Sequence, residues 1–297
     1  MATRSKTLST NVPGDFFVDS SCIDCGTCRW MAPATFTQQG DYATVYSQPN
    51  SPEQTEKALK ALICCPTSSI GTINDHPLRS ISNSFPLRIA ESVYHCGFHS
   101  ESTFGATSYL IKRKEGNILV DSPRFSPRLL QSIKALGKVT LLFLTHKDDV
   151  GDHRRWAKEL QCERILHQGD VTSNLKDIEN QPTGSDPIQL GPDLIMLPTP
   201  GHTAGSSCLL YANRFLFSGD HVAFSLKRER VIAFNTACWF NWEQQITSME
   251  SLLNVEFEYI LPGHGSPCSF PRARMRAQVK ACVEWMKKNS APPRTSP

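Results

Sequence analysis

Residues 145–153 read Thr-His-Lys-Asp-Asp-Val-Gly-Asp-His and directly follow the apolar run 139–144. This run is short and apolar, and a glycine closes the helical pattern before it, so it is predicted to be a strand. A strand that ends in a loop carrying His and Asp side chains is a common way to bring ligands to a metal ion. Imidazole and carboxylate groups both bind divalent metals in proteins. The stretch therefore predicts a metal site at the end of this strand.

Three later segments repeat this design, each with an apolar strand, a glycine and one His or Asp at its end. They read Thr-Pro-Gly-His-Thr-Ala-Gly at 199–205, Phe-Ser-Gly-Asp at 217–220 and Leu-Pro-Gly-His-Gly at 261–265. In this order, the four segments resemble the metallo-β-lactamase superfamily motifs H-x-H-x-D-H, T-P-G-H-T, S-G-D and P-G-H-G. The resemblance covers roughly residues 88–290. It implies an α/β fold, the metallo-β-lactamase αβ/βα sandwich, with the metals at one sheet edge.

The resemblance also implies metal ligands, position by position. They are His146 and His202 for the first metal, Asp152, His153 and His264 for the second, and Asp220 as the carboxylate that bridges them. The chain departs from the family at one point, because Asp148 replaces the second histidine and two residues are inserted before Asp152. Either Asp148 or Asp149 is therefore expected to bind the metal in place of that second histidine. An additional hard oxygen ligand favours iron or manganese without excluding zinc.

Two metals that share Asp220 would supply hydroxide near neutral pH and polarise a carbonyl or phosphoryl oxygen. Asp149 or Asp152 would accept the displaced proton, and these two are the predicted catalytic residues. The resemblance therefore implies a metallo-hydrolase, and the expected substrates are esters, thioesters or lactones. The aromatic segment Cys-Trp-Phe-Asn-Trp at 238–242 is expected near the mouth of the site, and the start of a core helix is the alternative.

The N-terminal part carries a different ligand set, a C-x2-C-x2-C run followed by a distant Cys-Pro pair: Cys22, Cys25, Cys28 and Cys65. Thiolates at this spacing, closed by a distant fourth, are typical of an iron–sulfur cluster. In two-cluster ferredoxins the run continues to a fourth cysteine before a proline, where this chain has Ala32-Pro33. The segment from about residue 14 to 73 therefore resembles a single-cluster ferredoxin and predicts one [4Fe-4S] cluster. Cys64 is an alternative fourth ligand, and a four-cysteine zinc site is the alternative use of the set.

The stretch 74–86 contains two prolines, three serines and two asparagines, and is predicted to be a linker. The expected domains are a small α+β ferredoxin-like domain at 1–80 and a metallo-β-lactamase-like domain at 81–297. The fusion favours a second function, a di-iron oxidoreductase fed by its own cluster. Flavodiiron proteins of the same superfamily also carry a carboxylate in place of the second histidine, as Asp148 does. A non-catalytic binding module is the third alternative.

Composition limits the partners and the compartment. Hydrophobic residues make up 39% and charged residues 20% of 297 residues, which indicates a globular protein. The formal net charge of +3 is spread along the chain, so no nucleic-acid partner is expected. Apolar runs fall short of the roughly 20 residues of a membrane span. The expected partners are a small-molecule substrate and a redox protein.

The cysteine count is odd, at 11, and the start of the chain has no secretory pattern. A reducing compartment is therefore expected, the cytoplasm or, after processing, a chloroplast or other organelle. His95 and His99 match no ligand position and are expected in a surface loop or at the entrance of the metal site.

Overall fold

The computed structural model describes residues 2–289, which divide into two units along the chain. The first unit runs up to Leu142 and also includes Gly151–Cys162. The second consists of Phe143–Val150 and the chain from Glu163 onward. The predicted domain boundary near residue 80 lies inside the first unit and stays a prediction.

The first unit begins with small strand pairs and two helices, and continues with a meander of strands. Its elements are β1 (Phe16–Val18), α1 (Thr27–Met31), β2 (Phe36–Gln39), β3 (Tyr42–Val45), α2 (Pro52–Cys64), β4 (Ile70–Thr72), α3 (Leu78–Asn83), β5 (Leu87–Ala90), β6 (Val93–His95), β7 (Tyr109–Ile111), β8 (Asn117–Val120), α4 (Pro127–Leu136), β9 (Val139–Phe143) and α5 (His153–Leu160). Strand β1 pairs antiparallel with β4, and β2 with β3. Strands β5 to β9 are neighbours in chain order within one sheet, and the last residue of β9, Phe143, is counted with the second unit.

Residues 16–70 have a hydrophobic core of their own. Phe16, Phe36 and Leu59 are each at most 3% exposed and belong to one buried cluster. Ser51 caps helix α2 by accepting a hydrogen bond from the Gln54 amide, and Pro52 occupies the first turn of the helix. The helix ends at Cys64, which places Cys65 immediately after its last turn.

The second unit is built on a mixed sheet. Its elements are β10 (Glu163–Ile165), β11 (Ile188–Gly191), β12 (Leu194–Pro198), β13 (Ser207–Tyr211), β14 (Phe215–Gly219), β15 (Ala223–Ser225), β16 (Arg230–Ile232), α6 (Trp242–Ser251), β17 (Tyr259–Pro262), β18 (Cys268–Ser269) and α7 (Arg272–Lys288). The sheet order is β11-β12-β13-β14-β17-β18, with β14 and β17 parallel and the other pairs antiparallel. Helices α6 and α7 contribute buried side chains, such as Met249 and Met286, to the core of this unit.

The parallel pair β14 and β17 explains how distant motifs meet. Both strands end at the same edge of the sheet because parallel strands run in the same direction. Phe217 pairs with Leu261 and Gly219 with Pro262, so Asp220 and His264 follow the two strand ends.

The linker prediction for 74–86 missed one feature, because this stretch contains the short helix α3. Six residues are too few to show a helical hydrophobic period in the sequence. Among residues 2–289, no helix has both the length and the apolar character that crossing a membrane requires.

Candidate metal centre and cysteine cavity

The loop after β9 carries the first metal-binding side chains, all in the second unit. His146 precedes a single helical turn, Lys147–Asp149, which places Asp148 and Asp149 side by side. The Nε2 atom of His146 lies 3.8 Å from Oδ2 of Asp149 and 3.8 Å from Oδ2 of Asp220. His146, Asp149 and Asp220 thus offer three ligand atoms within 4.8 Å of one another.

A second group shares His146. The Nε2 atom of His202 lies 3.6 Å from Oδ2 of Asp148 and 3.7 Å from Oδ2 of Asp220. The rings of His146 and His202 are 4.8 Å apart and nearly perpendicular. His146, Asp148 and His202 also place their ligand atoms within 4.8 Å of one another. Both aspartates that the sequence left open therefore lie at the centre, each in a different group.

His264 completes this arrangement from the end of β17. Its Nδ1 atom lies 2.9 Å from Oδ1 of Asp220 and 4.0 Å from Oδ2 of Asp149. A side chain at Gly263 would not fit, because its Cβ would lie 2.7 Å from Oδ2 of Asp149 and 2.9 Å from Oδ1 of Asp220. The glycine of the Pro-Gly-His motif thus lets the backbone approach the two carboxylates closely.

Two buried nitrogen atoms indicate that these residues fit a metal. The Nε2 atoms of His146 and His202 have no hydrogen-bond partner among the residues that the structure describes. His202 donates its Nδ1 hydrogen to the Ala237 carbonyl, which leaves Nε2 as a ligand atom directed at the carboxylates. A buried polar atom without a partner is costly, and a metal ion would remove that cost.

The pKa shifts keep these groups in the forms that bind metals. Burial lowers the pKa of His146 to about 4, against the attraction of Asp220, so its imidazole is neutral near pH 7. The neighbouring His202 imidazole lowers the pKa of Asp148 to about 2. Burial acts to raise the pKa of Asp220, but the charge and hydrogen bond of His264 outweigh it and hold that pKa below its usual range.

Asp152 and His153, the two remaining predicted ligands, belong to the first unit. Asp152 accepts a hydrogen bond from the Phe125 amide at 2.7 Å and precedes α5, and His153 is buried at the start of that helix. Their metal roles, and the catalytic role of Asp152, stay predictions.

Asp170 is a residue of this centre that the sequence analysis missed. It is 1% exposed and accepts hydrogen bonds from two loops that carry ligand side chains. No motif marks it, because its partners lie 23 to 35 positions away along the chain.

The N-terminal cysteines surround a cavity in the first unit. The cavity is lined by all four predicted thiols, Cys22, Cys25, Cys28 and Cys65. Gly26 starts α1 with a φ of 85°, a left-handed conformation that favours glycine and turns the chain between the second and third cysteines. Cys65 arrives from the end of α2.

The donor set fits an iron–sulfur cluster. Backbone amides donate to Sγ of Cys22 at 3.4 Å, from Asp24, and to Sγ of Cys65 at 3.2 Å, from Ser69. Such bonds stabilise cluster thiolates and tune their potential. Burial raises the pKa of Cys22, Cys25 and Cys28, and the charge of Cys65 raises each further. The thiols of Cys22, Cys25 and Cys28 therefore stay protonated near neutral pH unless a cation binds them.

Cys64, the alternative fourth thiol, is fully buried and belongs to a different group. Its Sγ lies with the imidazoles of His95 and His99. These two histidines were expected in a surface loop or at an entrance, and this expectation is wrong, because they are 3% and 0% exposed. No local pattern indicates this burial, because Cys64 lies about 30 positions before the two histidines.

Comparison with known proteins agrees with this arrangement. The family model of the metallo-beta-lactamase superfamily matches residues 102–264, more than half of the chain. The chain belongs to the metallo-β-lactamase superfamily. A second family model, the 4Fe-4S single cluster domain of ferredoxin I, matches residues 18–72. The superfamily membership and this second match confirm the predicted fusion, and they support divalent metals in one part and an iron–sulfur cluster in the other.

Individual relatives of this metallo-β-lactamase superfamily member are distant. "Uncharacterized protein YobT" of Bacillus subtilis (strain 168) is 26% identical over 210 residues, which cover 60% of this chain and 90% of YobT. The crystal structure of DIM-1 metallo-β-lactamase exposed to ceftazidime has a TM-score of 0.53 at 18% identity, covering 67% of this chain and 95% of DIM-1. TMB-1 has a TM-score of 0.55 at 14% identity, covering 68% and 97%. These likenesses confirm the predicted fold class.

Proposed function

We propose that the chain is a metal-dependent hydrolase that cleaves an ester, thioester or lactone. The observation that carries this proposal is the pair of ligand groups around His146, with Asp220 within 3.8 Å of both histidine Nε2 atoms. A carboxylate in this position suits two ions that share one bridging ligand. The superfamily match at the same residues supports this use of the centre.

We assign the ligands as two sets that share Asp220. The first set is His146, Asp148 and His202, and the second is Asp149 and His264, joined by the predicted Asp152 and His153. When bound, two divalent metals supply hydroxide near neutral pH and polarise a carbonyl oxygen. Zinc and iron both fit a mixed imidazole and carboxylate set.

The protein's own side chains position the substrate and the proton. Asp149 and Asp152 are the proposed acceptors of the displaced proton. Trp239 and Phe240 are 57% and 43% exposed, and the amides of both donate to the carbonyl of the proposed ligand His202 at 2.9 and 3.0 Å. This aromatic surface beside a ligand suits an apolar acyl group.

A panel of three substrates with one acyl chain, an aryl ester, a thioester and a lactone, tests the proposal. Asp220→Asn removes a charge shared by both ion positions and is expected to lower metal content and hydrolysis together, by at least about 100-fold in rate. Asp186→Asn, an exposed control, should change neither. The proposal fails if the fully metallated chain cleaves none of the three substrates.

Two observations favour a second candidate, a di-iron oxidoreductase fed by a [4Fe-4S] cluster. Asp148 contributes a hard oxygen to the first ligand group, which favours iron over zinc. The cysteine cavity supplies a place for an electron carrier in the same chain. This candidate needs a redox partner protein as electron donor, whereas hydrolysis needs only the small-molecule substrate.

The two candidates separate in one experiment. The cluster is reduced under argon, and oxygen or nitric oxide is then supplied while the visible spectrum is followed. Reoxidation that is lost in Asp220→Asn supports the oxidoreductase. If the cluster stays reduced although the metal centre is loaded with iron, the oxidoreductase candidate is wrong and hydrolysis is the remaining function.

A further inference from the structure

Three buried side chains that neither centre uses meet in the first unit. Cys64 ends α2, His95 ends β6 and His99 lies in the loop that follows β6. Their ligand atoms all lie within 4.8 Å of one another, and the two Nε2 atoms are 2.8 Å apart. Cys64 lies about 30 positions before the two histidines in the sequence, so the tertiary fold brings it to them.

The hydrogen bonds of His99 point its second nitrogen into this cluster. Its Nδ1 atom lies 2.8 Å from the Gly105 carbonyl oxygen. A carbonyl only accepts, so the Nδ1 atom carries the hydrogen and Nε2 keeps its lone pair. This arrangement, with one nitrogen held by a backbone carbonyl and the other turned toward neighbouring ligand atoms, is the usual support of a metal-binding histidine.

The thiol of Cys64 receives similar support. The Phe98 amide donates a hydrogen bond to Cys64, and Phe98 has a φ of 51°. Phe104, at the other end of the same loop, also has a φ of 51°. Left-handed conformations are strained in residues with side chains, and such strain is concentrated at ligand-binding segments. Here the strain brings an amide to Cys64 and the next residue, His99, into the cluster.

We propose that Cys64, His95 and His99 form a third metal site, which binds one thiophilic transition-metal ion through Sγ and two Nε2 atoms. One thiolate with two imidazoles is a donor set that zinc accepts, with a fourth position left for water. Binding releases the thiol proton of Cys64 to solvent, and His95, which stays a neutral imidazole, carries its one hydrogen on Nδ1 instead of Nε2.

The position of this site gives it a role. Cys64 lies within the segment that matches the ferredoxin family model, residues 18–72, whereas His95 and His99 precede the superfamily match at 102–264. An ion there would join the ferredoxin-like segment to the loop after β6 through coordination bonds, within the first unit. The ion lies at the end of α2, next to Cys65, but it is held by a separate set of side chains from those that line the cysteine cavity.

Zinc analysis and X-ray absorption of the full-length chain test the proposal, with Zn²⁺ as the probe. The Asp220→Asn background removes zinc from the other centre. One zinc per chain is expected to remain, with one sulfur scatterer at about 2.3 Å and nitrogen scatterers at about 2.0 Å. The proposal is wrong if the chain retains no zinc, or if its bound zinc has no sulfur scatterer. His95 and His99 would then be a hydrogen-bonded pair without a metal.

Two matched pairs of variants assign the ligands in the same background. Cys64→Ser and His99→Gln should each lose the zinc, whereas Cys96→Ser, another fully buried thiol, and His76→Gln should keep it. Iron and sulfide should stay unchanged in Cys64→Ser. Loss of iron and sulfide in that variant, with retention in Cys65→Ser, makes Cys64 a cluster ligand and overturns the proposal. If Cys64→Ser does not fold, X-ray absorption of the chain that keeps Cys64 still tests the proposal, because it shows whether a sulfur atom binds the zinc.

Discussion

Thr203 donates a hydrogen bond from its hydroxyl to the buried carboxylate of Asp170 at 2.6 Å. The same carboxylate accepts the amide hydrogens of Gly205 at 2.7 Å and Lys147 at 3.0 Å. Residues 147 and 203 each directly follow a histidine of the metal centre. One carboxylate therefore holds both histidine loops in place.

Asp170→Asn should weaken metal binding without touching a ligand, because an amide group presents donors where the loops need acceptors. Loss of such a supporting group typically lowers metal affinity by about 10- to 100-fold. Competition with a coloured chelator measures the affinity, and Asp186→Asn is the exposed control. Unchanged affinity in a folded Asp170→Asn chain would show that the two loops hold their positions alone.

Gly263→Ala should displace the carboxylates of Asp149 and Asp220, since its Cβ would lie within 3 Å of an oxygen of each. Metal content and hydrolysis are expected to fall by more than about 10-fold. Gly184→Ala is a useful control, because its Cβ meets no heavy atom within 4 Å while its φ of 94° still imposes backbone strain. Equal metal loss in both variants would point to a general effect of replacing a glycine rather than to the close approach.

Asp148→His restores the imidazole that the superfamily motif has at this position. If Asp148 binds the first metal, the variant should select zinc over iron when both are supplied, because a hard anionic oxygen is replaced by a nitrogen. It should keep or gain ester and thioester cleavage and lose any electron-dependent activity. Metal selection is read from the zinc and iron content of chains grown with both metals. An unchanged ratio would remove Asp148 from the ligand set.

Cys65→Ser should abolish or degrade the brown absorption of the [4Fe-4S] cluster, because the serine oxygen replaces one of the four thiols that line the cavity. Cys64→Ser is the adjacent control and should retain iron, sulfide and the visible spectrum. Iron and sulfide analysis under argon reports both variants. If both variants retained iron, sulfide and the visible absorption, fewer than four thiols would be holding the cluster.

Glu179 offers a test of stability against pH. It accepts hydrogen bonds from the amide, Nε and Nη2 of Arg164 at 2.7–3.0 Å, and Arg164 lowers the pKa of Glu179 to about 2. Because the pKa of Glu179 is lower in the folded chain, its ionised carboxylate stabilises the fold at pH values above its ordinary pKa of 4.5. This stabilisation is lost as the pH falls from 4.5 toward 2.

Glu179→Gln should therefore accelerate exchange of the Asn180 amide, which donates to the Arg164 carbonyl, by about fivefold at pH 7. This corresponds to about 1 kcal/mol, a modest value because the Glu179 side chain is 43% exposed and solvent screens the pair. The difference from the unmutated chain should shrink steadily between pH 4.5 and 2. A difference that is constant with pH would assign the effect to packing instead.

Local signals in the sequence predicted the local structure well. Ser126 and Gly137 bound α4 because the first caps the helix, by accepting from the Leu129 amide, and the second ends it. Ala212 and Asn213 have φ values of 53° and 47°, as a tight hairpin between β13 and β14 requires. Each of these outcomes depends on residues a few positions apart.

Long-range contacts set the limit of sequence reasoning. The motifs brought His146, Asp148, His202 and Asp220 to one centre, yet no pattern separated the uses of Asp148 and Asp149, because both occupy one helical turn. The burial of His95 was missed for a different reason. It depends on Cys64, 31 positions earlier, and on aromatic rings such as Trp30, whose centroid lies 5.2 Å from that of His95.

The segment Phe143–Val150 belongs to the second unit although the residues on both sides of it belong to the first. During synthesis, His146 therefore leaves the ribosome well before residues 202, 220 and 264 are made. The metal centre can form only after the long chain segment between them has folded back onto His146. The four cysteines of the cavity, in contrast, are complete once residue 65 has emerged. Biosynthesis thus imposes an order on the two sites, in which iron and sulfide can enter a nascent chain and the second set of ions requires a nearly finished one.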